Sequence, residues 1–436
     1  MGLFFFFYWC TRFLDISYLK IIFYLFKKWY NNKVLYFVGK LVWEETMKKM
    51  LMMATTAAMI EQFNKNNILI LEEMGYEVHV AGNFIDGNPI SDEKLELFKE
   101  WLSQHNGKWF HIPSTRKPSD INNIRAYKQV VNLIKVYKYE FIHCHTPIGS
   151  VIARCAAYKT NTPIIYTAHG FHFYKGAPLK NWLLYYPIER LLSRWTEILI
   201  TINKEDYKRA KKSFSAKRIE YVAGVGIDLE KFSVEKTGRE IIRRELGLHT
   251  DDVVLLSVGE LNKNKNHEIV IRALAKIKNR NNHYVIVGQG GLYFYLKNMS
   301  KKLKINEQVH LLGYRDDMAE IYLASDIFVF PSKREGLSVA LMEAMASGLP
   351  VICSSIRGND DLIENGIGGV RVKKNEVKKY CEAIIKLCDD FLLRNKMGEN
   401  NLNAASKYRI ESINKNMSLL YKEVMRNEES DYIWNI

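Results

Sequence analysis

Residues 325–349 read "SDIFVFPSKREGLSVALMEAMASGL". "IFVF" is a short run of β-branched and aromatic residues bounded by turn formers, the pattern of a strand buried on both faces. After Gly336, whose missing Cβ permits a tight turn, comes a run rich in Ala, Leu and Met, all good helix formers. Strand, loop and helix in this order form one step of a parallel sheet covered by helices. That step carries two carboxylates: Glu335 in the loop, and Glu343 eight residues on, two turns into the helix. The N–H groups of Leu337, Ser338 and Val339 open the helix and make a ready anion site, with the helix dipole behind it. Glu335 stands at its mouth. Either glutamate alone reads as an ordinary helix-start or surface carboxylate; together with the loops below they read as a ligand site.

The same step recurs along the chain. From Met47 onward "KKMLMMAT", "YEVHVAGNF", "EFIHCHT", "PIIYTAHG", "EILITIN" and "IEYVAG" alternate with helix-length segments. A second series, "VVLLSVGE", "HYVIVGQG", "QVHLLGY", "DIFVFPS", "PVICSS" and "GGVRV", begins near residue 253. Such alternation predicts βαβ units and parallel sheets. The polar, glycine-bearing "GVGIDLEKFSVEKTGRE" between the series reads as a linker. At 436 residues the chain exceeds what one hydrophobic core supports. The expected fold class is α/β: two facing Rossmann-like, doubly wound parallel-sheet domains with an interdomain cleft and a C-terminal helical tail. The expected divisions are an aromatic and basic extension over 1–46, an acceptor-side domain over 47–228, a ligand-binding domain over 229–408, and a final helix and tail over 409–436.

Composition narrows the function. Hydrophobic residues make up 47% and charged residues 25%, the balance of a folded globular protein. The six cysteines are scattered without a CxxC pair, which argues against a zinc module or a disulfide framework. The net charge of +15 points to nucleic acid, an anionic membrane surface or phosphate-bearing substrates. No nucleic-acid-binding signature accompanies the basic residues, so a membrane surface or a phosphorylated substrate is favoured and no nucleic-acid partner is expected. In residues 1–46, "MGLFFFFYWC" and "LKIIFYLF" are interrupted by Arg12, Asp15 and Lys20 and fall short of the ~20 apolar residues of a membrane span. They read as an interfacial or a dispensable segment.

Ligands of open parallel sheets bind beyond the carboxyl ends of the strands, so the loops there carry the chemistry. In "LLSVGELNKNKNHE", Gly259 ends a strand, and Lys265 can meet a diphosphate as a point charge from the opposite side of the cleft; it reads equally well as a solvated lysine. "YTAHGFHFYKG" puts His169 and His172 after another strand. With no cysteine or carboxylate at ligand spacing, no metal is expected there. A neutral His169 donating to a substrate oxygen is expected instead, with His172 structural. "HCHTP" at 143–147 reads as strand-end packing. The chain has no D-x-D, no P-loop, no G-x-G-x-x-G after the first strand and no G-x-S-x-G elbow, which weakens ATP hydrolysis, dinucleotide redox and serine hydrolysis.

With these loops in hand, the chain resembles the family 4 glycosyltransferases, retaining enzymes of the GT-B fold. "REGLSVALMEAMASGLPVI" is similar to the family's E-x7-E region, and "LSVGELNKNKNHE", "VAGVGIDLEKF" and "LASDIFVFPS" resemble its flanking motifs. The stretch from "TAHGFHFYKGAPLKNWLLYYPIERLLSRW" to "TEILITINKEDYKRA" is similar to bacterial capsule and exopolysaccharide transferases. The resemblance covers about residues 47–425. It implies a hexosyltransferase that moves a hexose or N-acetylhexosamine from a nucleotide-diphosphate sugar, foremost a UDP-sugar, to a glycan acceptor linked to polyprenyl diphosphate. No metal and no cofactor other than the nucleotide sugar as co-substrate is implied. His169 and Glu335 would be the catalytic residues, beside the transferring sugar and on its hydroxyls. Glu343 would contact the nucleotide ribose. Lys265 would hold the donor diphosphate with the amides of Gly336, Leu337 and Ser338, next to the Gly259 turn. Thr55, Thr56 and Ala57 would border the acceptor side.

The chain departs from the family in carrying Glu260 where an arginine is usual; Lys263, Lys333 or Arg334 would have to compensate. Helix 179–195, "LKNWLLYYPIERLLSRW", reads either as a core-facing helix or as a basic, aromatic shoulder on an anionic leaflet. The expected location is cytoplasmic, peripheral on the inner face of the cell membrane. Two other readings stay open: a catalytically silent subunit that binds a nucleotide sugar, for which Glu260 speaks, and a nucleotide-sugar epimerase.

Overall fold

The computed structural model describes residues 47–232 and 237–433; the expectation for 1–46 lies outside the described residues. The first sheet contains β1 (Lys48–Thr56), β2 (Tyr76–Asn83), β3 (Lys108–His111), β4 (Phe141–His145), β5 (Ile164–Ala168), β6 (Ile198–Thr201) and β7 (Arg218–Tyr221). The second contains β8 (Val253–Val258), β9 (Asn282–Val287), β10 (Val309–Gly313), β11 (Ile327–Phe330), β12 (Val351–Ser354) and β13 (Gly369–Val372). The orders are β3-β2-β1-β4-β5-β6-β7 and β10-β9-β8-β11-β12-β13, and the neighbouring strands pair in parallel. Burial explains the apolar runs: β1 is buried from Met50 to Thr56, because helices cover both faces of the sheet. The sequence expectations missed β3, a four-residue edge strand whose Lys108 and Trp109 are exposed.

Strand order reverses between β1 and β4 in one sheet and between β8 and β11 in the other. Those switch points open crevices at the carboxyl ends of the strands. The loops after β1 and β4, and those after β8 and β11, are therefore brought together in pairs.

The last helix, Ile410–Ile433, lies in the stretch expected to hold a final helix, and it packs back on the first domain. The chain returns beside its own linker, where Ile227 N–H donates to Tyr408 O (2.9 Å) and Ile410 N–H to Ile227 O (3.0 Å). Ile413, Met417, Leu420, Tyr421 and Val424 then recur at helical spacing and are buried with Met50, Met52 and Phe141 in the first domain's core. At roughly 1.5–3 kcal/mol for each large apolar side chain fully buried, this stripe is a substantial part of that core. Helices Val377–Asp389 and Phe391–Ala405 stay with the second sheet, through Tyr380, Ile384, Leu387 and Met397.

Candidate active site

Beyond β8 and β11, asparagines build the lysine site. Asn262 Oδ1 accepts the N–H groups of Asn264 and Lys265 (2.9 Å each), which fixes the turn. Asn264 and Asn266 then reach the neighbouring loop: Asn264 Nδ2 donates to Arg334 O (3.0 Å) and Asn266 Nδ2 to Pro331 O (3.2 Å). Lys265 is thereby aimed, and its Nζ lies 2.9 Å from Glu335 Oε1 and 4.7 Å from the centre of the Phe330 ring. Gly259 explains how the stem fits, since a Cβ there would sit 2.8 Å from Lys265 Cε. The expectation that Lys265 works from across the cleft is corrected: lysine and glutamate belong to the same domain and touch. Glu260, in the family's arginine position, is exposed.

Helix Val339–Ala346 begins as its sequence suggests. Ser338 is the N-cap, in extended conformation, and its Oγ accepts from Leu341 N–H (3.3 Å). Among the described residues, no acceptor meets the N–H groups of Gly336, Leu337 or Ser338. The Leu337 side chain lies against Gly224. Glu343 is set into the wall. Tyr322 OH donates to its Oε2 (2.9 Å), and burial raises its carboxyl above the usual range, against the pull of the Tyr322 bond and Lys231. Oε2 of Glu343 thus already accepts one hydrogen bond within the protein. Glu343 does not line the pocket that holds Glu335.

The two domains meet at this point. A pocket of about 240 Å³ is lined by His169, His172, Asn264, Arg334, Glu335 and Arg357. Burial pushes the His169 imidazole down to about 4; His172 also falls to about 4, through burial and then the charges of Arg334 and Arg357. Both rings are neutral at pH 7. Arg357, in the loop after β12, bridges the domains. Its Nη1 meets Asp206 Oδ1 (2.7 Å), its Nη2 donates to Phe171 O (2.9 Å), and its Nε donates to Glu335 O (3.2 Å). Sequence reasoning missed Arg357 and Asp206. The signal was present, for "SSIRGND" follows a strand end as the other site loops do.

At Gly336 the backbones touch, and a Cβ would lie 2.0 Å from His169 O. Gly336→Ala is therefore expected to force the loops apart, costing about 1–3 kcal/mol. Thermal unfolding measures this, and an unchanged midpoint would show that the contact is not needed.

On the first domain's switch point, Thr146 holds φ +64°, a strained value for a β-branched residue. Thr55 clamps it: Thr55 N–H donates to Thr146 Oγ1 (2.9 Å), the two hydroxyls bond (2.7 Å), and Gly149 N–H donates to Thr55 Oγ1 (3.0 Å). A second pocket of about 240 Å³ is lined by Thr55, Thr56, Met59, Arg116, His172 and Tyr185 among others. His172 is thus common to both pockets. Ala57 is fully buried in the core and lines neither. Next to this pocket, helix Leu179–Ser193 turns Leu179, Leu183, Leu184, Ile188 and Leu191 outward, beside exposed Lys180, Arg190 and Arg194. Among the described residues, no group of three or more His, Cys, Asp or Glu side chains is placed to hold a metal ion, and no helix is long and apolar enough to cross a membrane.

Two Rossmann-like domains facing one cleft, with a lysine–glutamate pair at an open helix start, define a glycosyltransferase of the GT-B class. Residues 68–231 match the family model described as Glycosyltransferase Family 4, and residues 238–404 match that for glycosyl transferases group 1. The chain is 35% identical over 385 residues to the protein named "Putative glycosyltransferase EpsD" of Bacillus subtilis (strain 168), covering 87% of this chain and 97% of that one. It is 32% identical over 299 residues to a UDP-Gal:alpha-D-GlcNAc-diphosphoundecaprenol alpha-1,3-galactosyltransferase of Escherichia coli, covering 67% and 77%. Anabaena Alr3699/HepE, solved in complex with UDP and glucose, has the same fold (TM-score 0.70, 18% identity, 86% of this chain and 100% of that one). The chain belongs to glycosyltransferase family 4.

Proposed function

We propose that this glycosyltransferase moves a hexose or N-acetylhexosamine from a UDP-sugar to a polyprenyl-diphosphate-linked glycan during capsule or exopolysaccharide synthesis. The observation that carries this is the Lys265–Glu335 pair (2.9 Å) beside the unpartnered amides of Gly336, Leu337 and Ser338, opposite the His169 loop. In this reading the leaving diphosphate is stabilised by Lys265 and those amides, a preorganised positive field in a cleft shielded from water. Glu335 accepts hydrogen bonds from the sugar hydroxyls. Neutral His169 orients a sugar oxygen without adding charge. Glu343 takes a ribose hydroxyl on its remaining oxygen, and Lys263, Lys333 or Arg334 supplies the further cation that Glu260 does not. The acceptor hydroxyl attacks the anomeric carbon on the face the nucleotide leaves, and the departing phosphate oxygen takes its proton, so configuration is retained without a metal.

A lipid-linked acceptor is supported by the name of the Escherichia coli relative and by the second pocket, where Arg116 stands among Met59, Ile148 and Tyr185. The test is UDP release from the purified chain with a panel of UDP-sugars, with and without a short-chain prenyl-diphosphate sugar and with or without EDTA. Product of retained linkage in the presence of EDTA is expected. UDP-sugar isomerisation without any acceptor, or no turnover of any donor, would refute the proposal.

The same reading puts the enzyme on the cytoplasmic face of the membrane, resting on helix Leu179–Ser193. Each basic residue near an anionic surface contributes about 1 kcal/mol, and the outward leucines enter the interface. Replacing Leu183 and Leu184 together by aspartate is expected to weaken binding to vesicles rich in anionic lipid at least tenfold, on the order of the ~1.4 kcal/mol that this factor represents. Binding indifferent to both the substitutions and salt would end this assignment.

A further inference from the structure

Behind His169 stands a second buried imidazole to which nothing above assigns a role. His169 Nε2 lies 3.1 Å from Nδ1 of His145, the last residue of β4. His145 is held from the side of His143 and by the residue that follows it. Its ring lies against that of His143, centres 4.2 Å apart. Both nitrogens of His143 are engaged, with Tyr421 OH of the last helix (2.9 Å) and Thr167 Oγ1 (2.8 Å). The residue after it is Thr146, strained and clamped by Thr55. His145 Nε2 is buried and has no partner among the described residues; it faces a recess of mixed lining, Asn64, Asn67, Thr167 and Asn414 beside apolar Ile200, Val222, Ile413 and Met417, with room for a water molecule.

We infer that His145 is a positioning residue that locks His169 in a single tautomer, with its proton on Nδ1. Burial keeps both rings neutral, so each carries one proton, and the bond between them holds only one. When His145 donates through Nδ1, its Nε2 is left as an acceptor for a water or amide N–H in the recess. His169 must then carry its proton on Nδ1, the nitrogen with no protein partner. The cleft that His169 lines holds Glu335 as an acceptor and Arg334, Arg357 and the Asn264 amide as donors; once a sugar diphosphate occupies it, its oxygens engage those donors and a bare lone pair on His169 would face acceptors. The choice between the two tautomers rests on the proposed function, whose donor brings acceptor oxygens to His169; the spectrum that reads the tautomer needs no turnover.

Long-range proton–nitrogen correlation spectra of the full chain labelled with 15N-histidine measure the tautomer directly. His169 is expected to be protonated at Nδ1. Protonation at Nε2, or rapid exchange between the two forms, overturns the inference whatever the enzyme does. In His145→Asn the side-chain amide can still donate to His169 Nε2, so the Nδ1–H form and most of the turnover should persist. In His145→Ala the lock is lost, both tautomers should appear, and kcat should fall about tenfold to a hundredfold, with KM for the UDP-sugar within about twofold. A folded alanine variant with an unchanged His169 spectrum also overturns the inference. Absence of turnover in the wild type would instead sink the transferase reading and leave the spectral result standing.

Discussion

Lys265→Ala should lower kcat/KM for sugar transfer at least about a hundredfold, and Glu335→Ala by a similar factor, the scale of losing one preorganised electrostatic contact. The two side chains are in direct contact and largely shielded, so each also sets the environment of the other. On the proposed roles, removing Lys265 would leave the Glu335 carboxylate facing the donor phosphates, offset only by the Arg334 and Arg357 charges that line the same pocket. Without Glu335, the lysine keeps its charge but the sugar loses its hydroxyl acceptor. The effects should therefore be far from additive in the double variant. Arginine at 265 should rescue poorly, because the Gly259 turn accommodates a slim alkyl stem and a point charge rather than a planar fork. Steady-state UDP release in the presence of acceptor is the measurement. Near-normal turnover in either alanine variant rules out the proposed roles.

Arg357→Ala is expected to destabilise the protein by about 3–5 kcal/mol, because it leaves the carboxylate of Asp206 buried without its counter-charge. The side chains of Arg357 and Asp206 are 4% and 0% exposed, and Phe171 O and Glu335 O lose a donor at the same time. Replacing both members by apolar residues, Arg357→Met with Asp206→Leu, should return only part of the stability: it removes the desolvation penalty of the charge pair, but leaves the Phe171 N–H and the Asn203 side-chain amide, which Asp206 Oδ2 accepts, without a partner. It should not return activity, because the tie between the Glu335 loop and the first domain is still missing. An Arg357→Ala variant that unfolds at the wild-type temperature would show the clasp to be unimportant. Recovery of transfer in the double variant would show that Arg357 contributes stability alone.

Much of this was legible from sequence because its signals are local. The six apolar runs after residue 253 all became strands, and Ser338 caps the helix that follows the Gly336 turn. What escaped depends on contacts between distant segments. Lys265 read as evenly balanced between ligand and solvent; the difference was made by Asn264 and Asn266 bonding to Arg334 and Pro331, about 70 residues away. Strand β3 has too few buried positions for an alternating pattern. Thr55 read as an acceptor-side residue, yet its hydroxyl is engaged with Thr146, a partner visible only once β1 and β4 are adjacent. "HCHTP" read as packing; only the fold sets its second histidine against His169.

The return of the chain at residues 408–410 constrains how a nucleotide can leave. Two separate connections, one outbound through Ile227 and one inbound through Tyr408 and Ile410, lie side by side and are hydrogen-bonded to each other. Gly226, at φ +76°, lets them approach so closely that a Cβ would sit 2.7 Å from Ile410 Cα. A two-ply hinge of this kind favours rotation about a single axis and resists sliding or twisting, which would shear the bonds between the plies. A swing about that axis would part Gly336 from the His169 backbone and pull Arg357 away from Asp206.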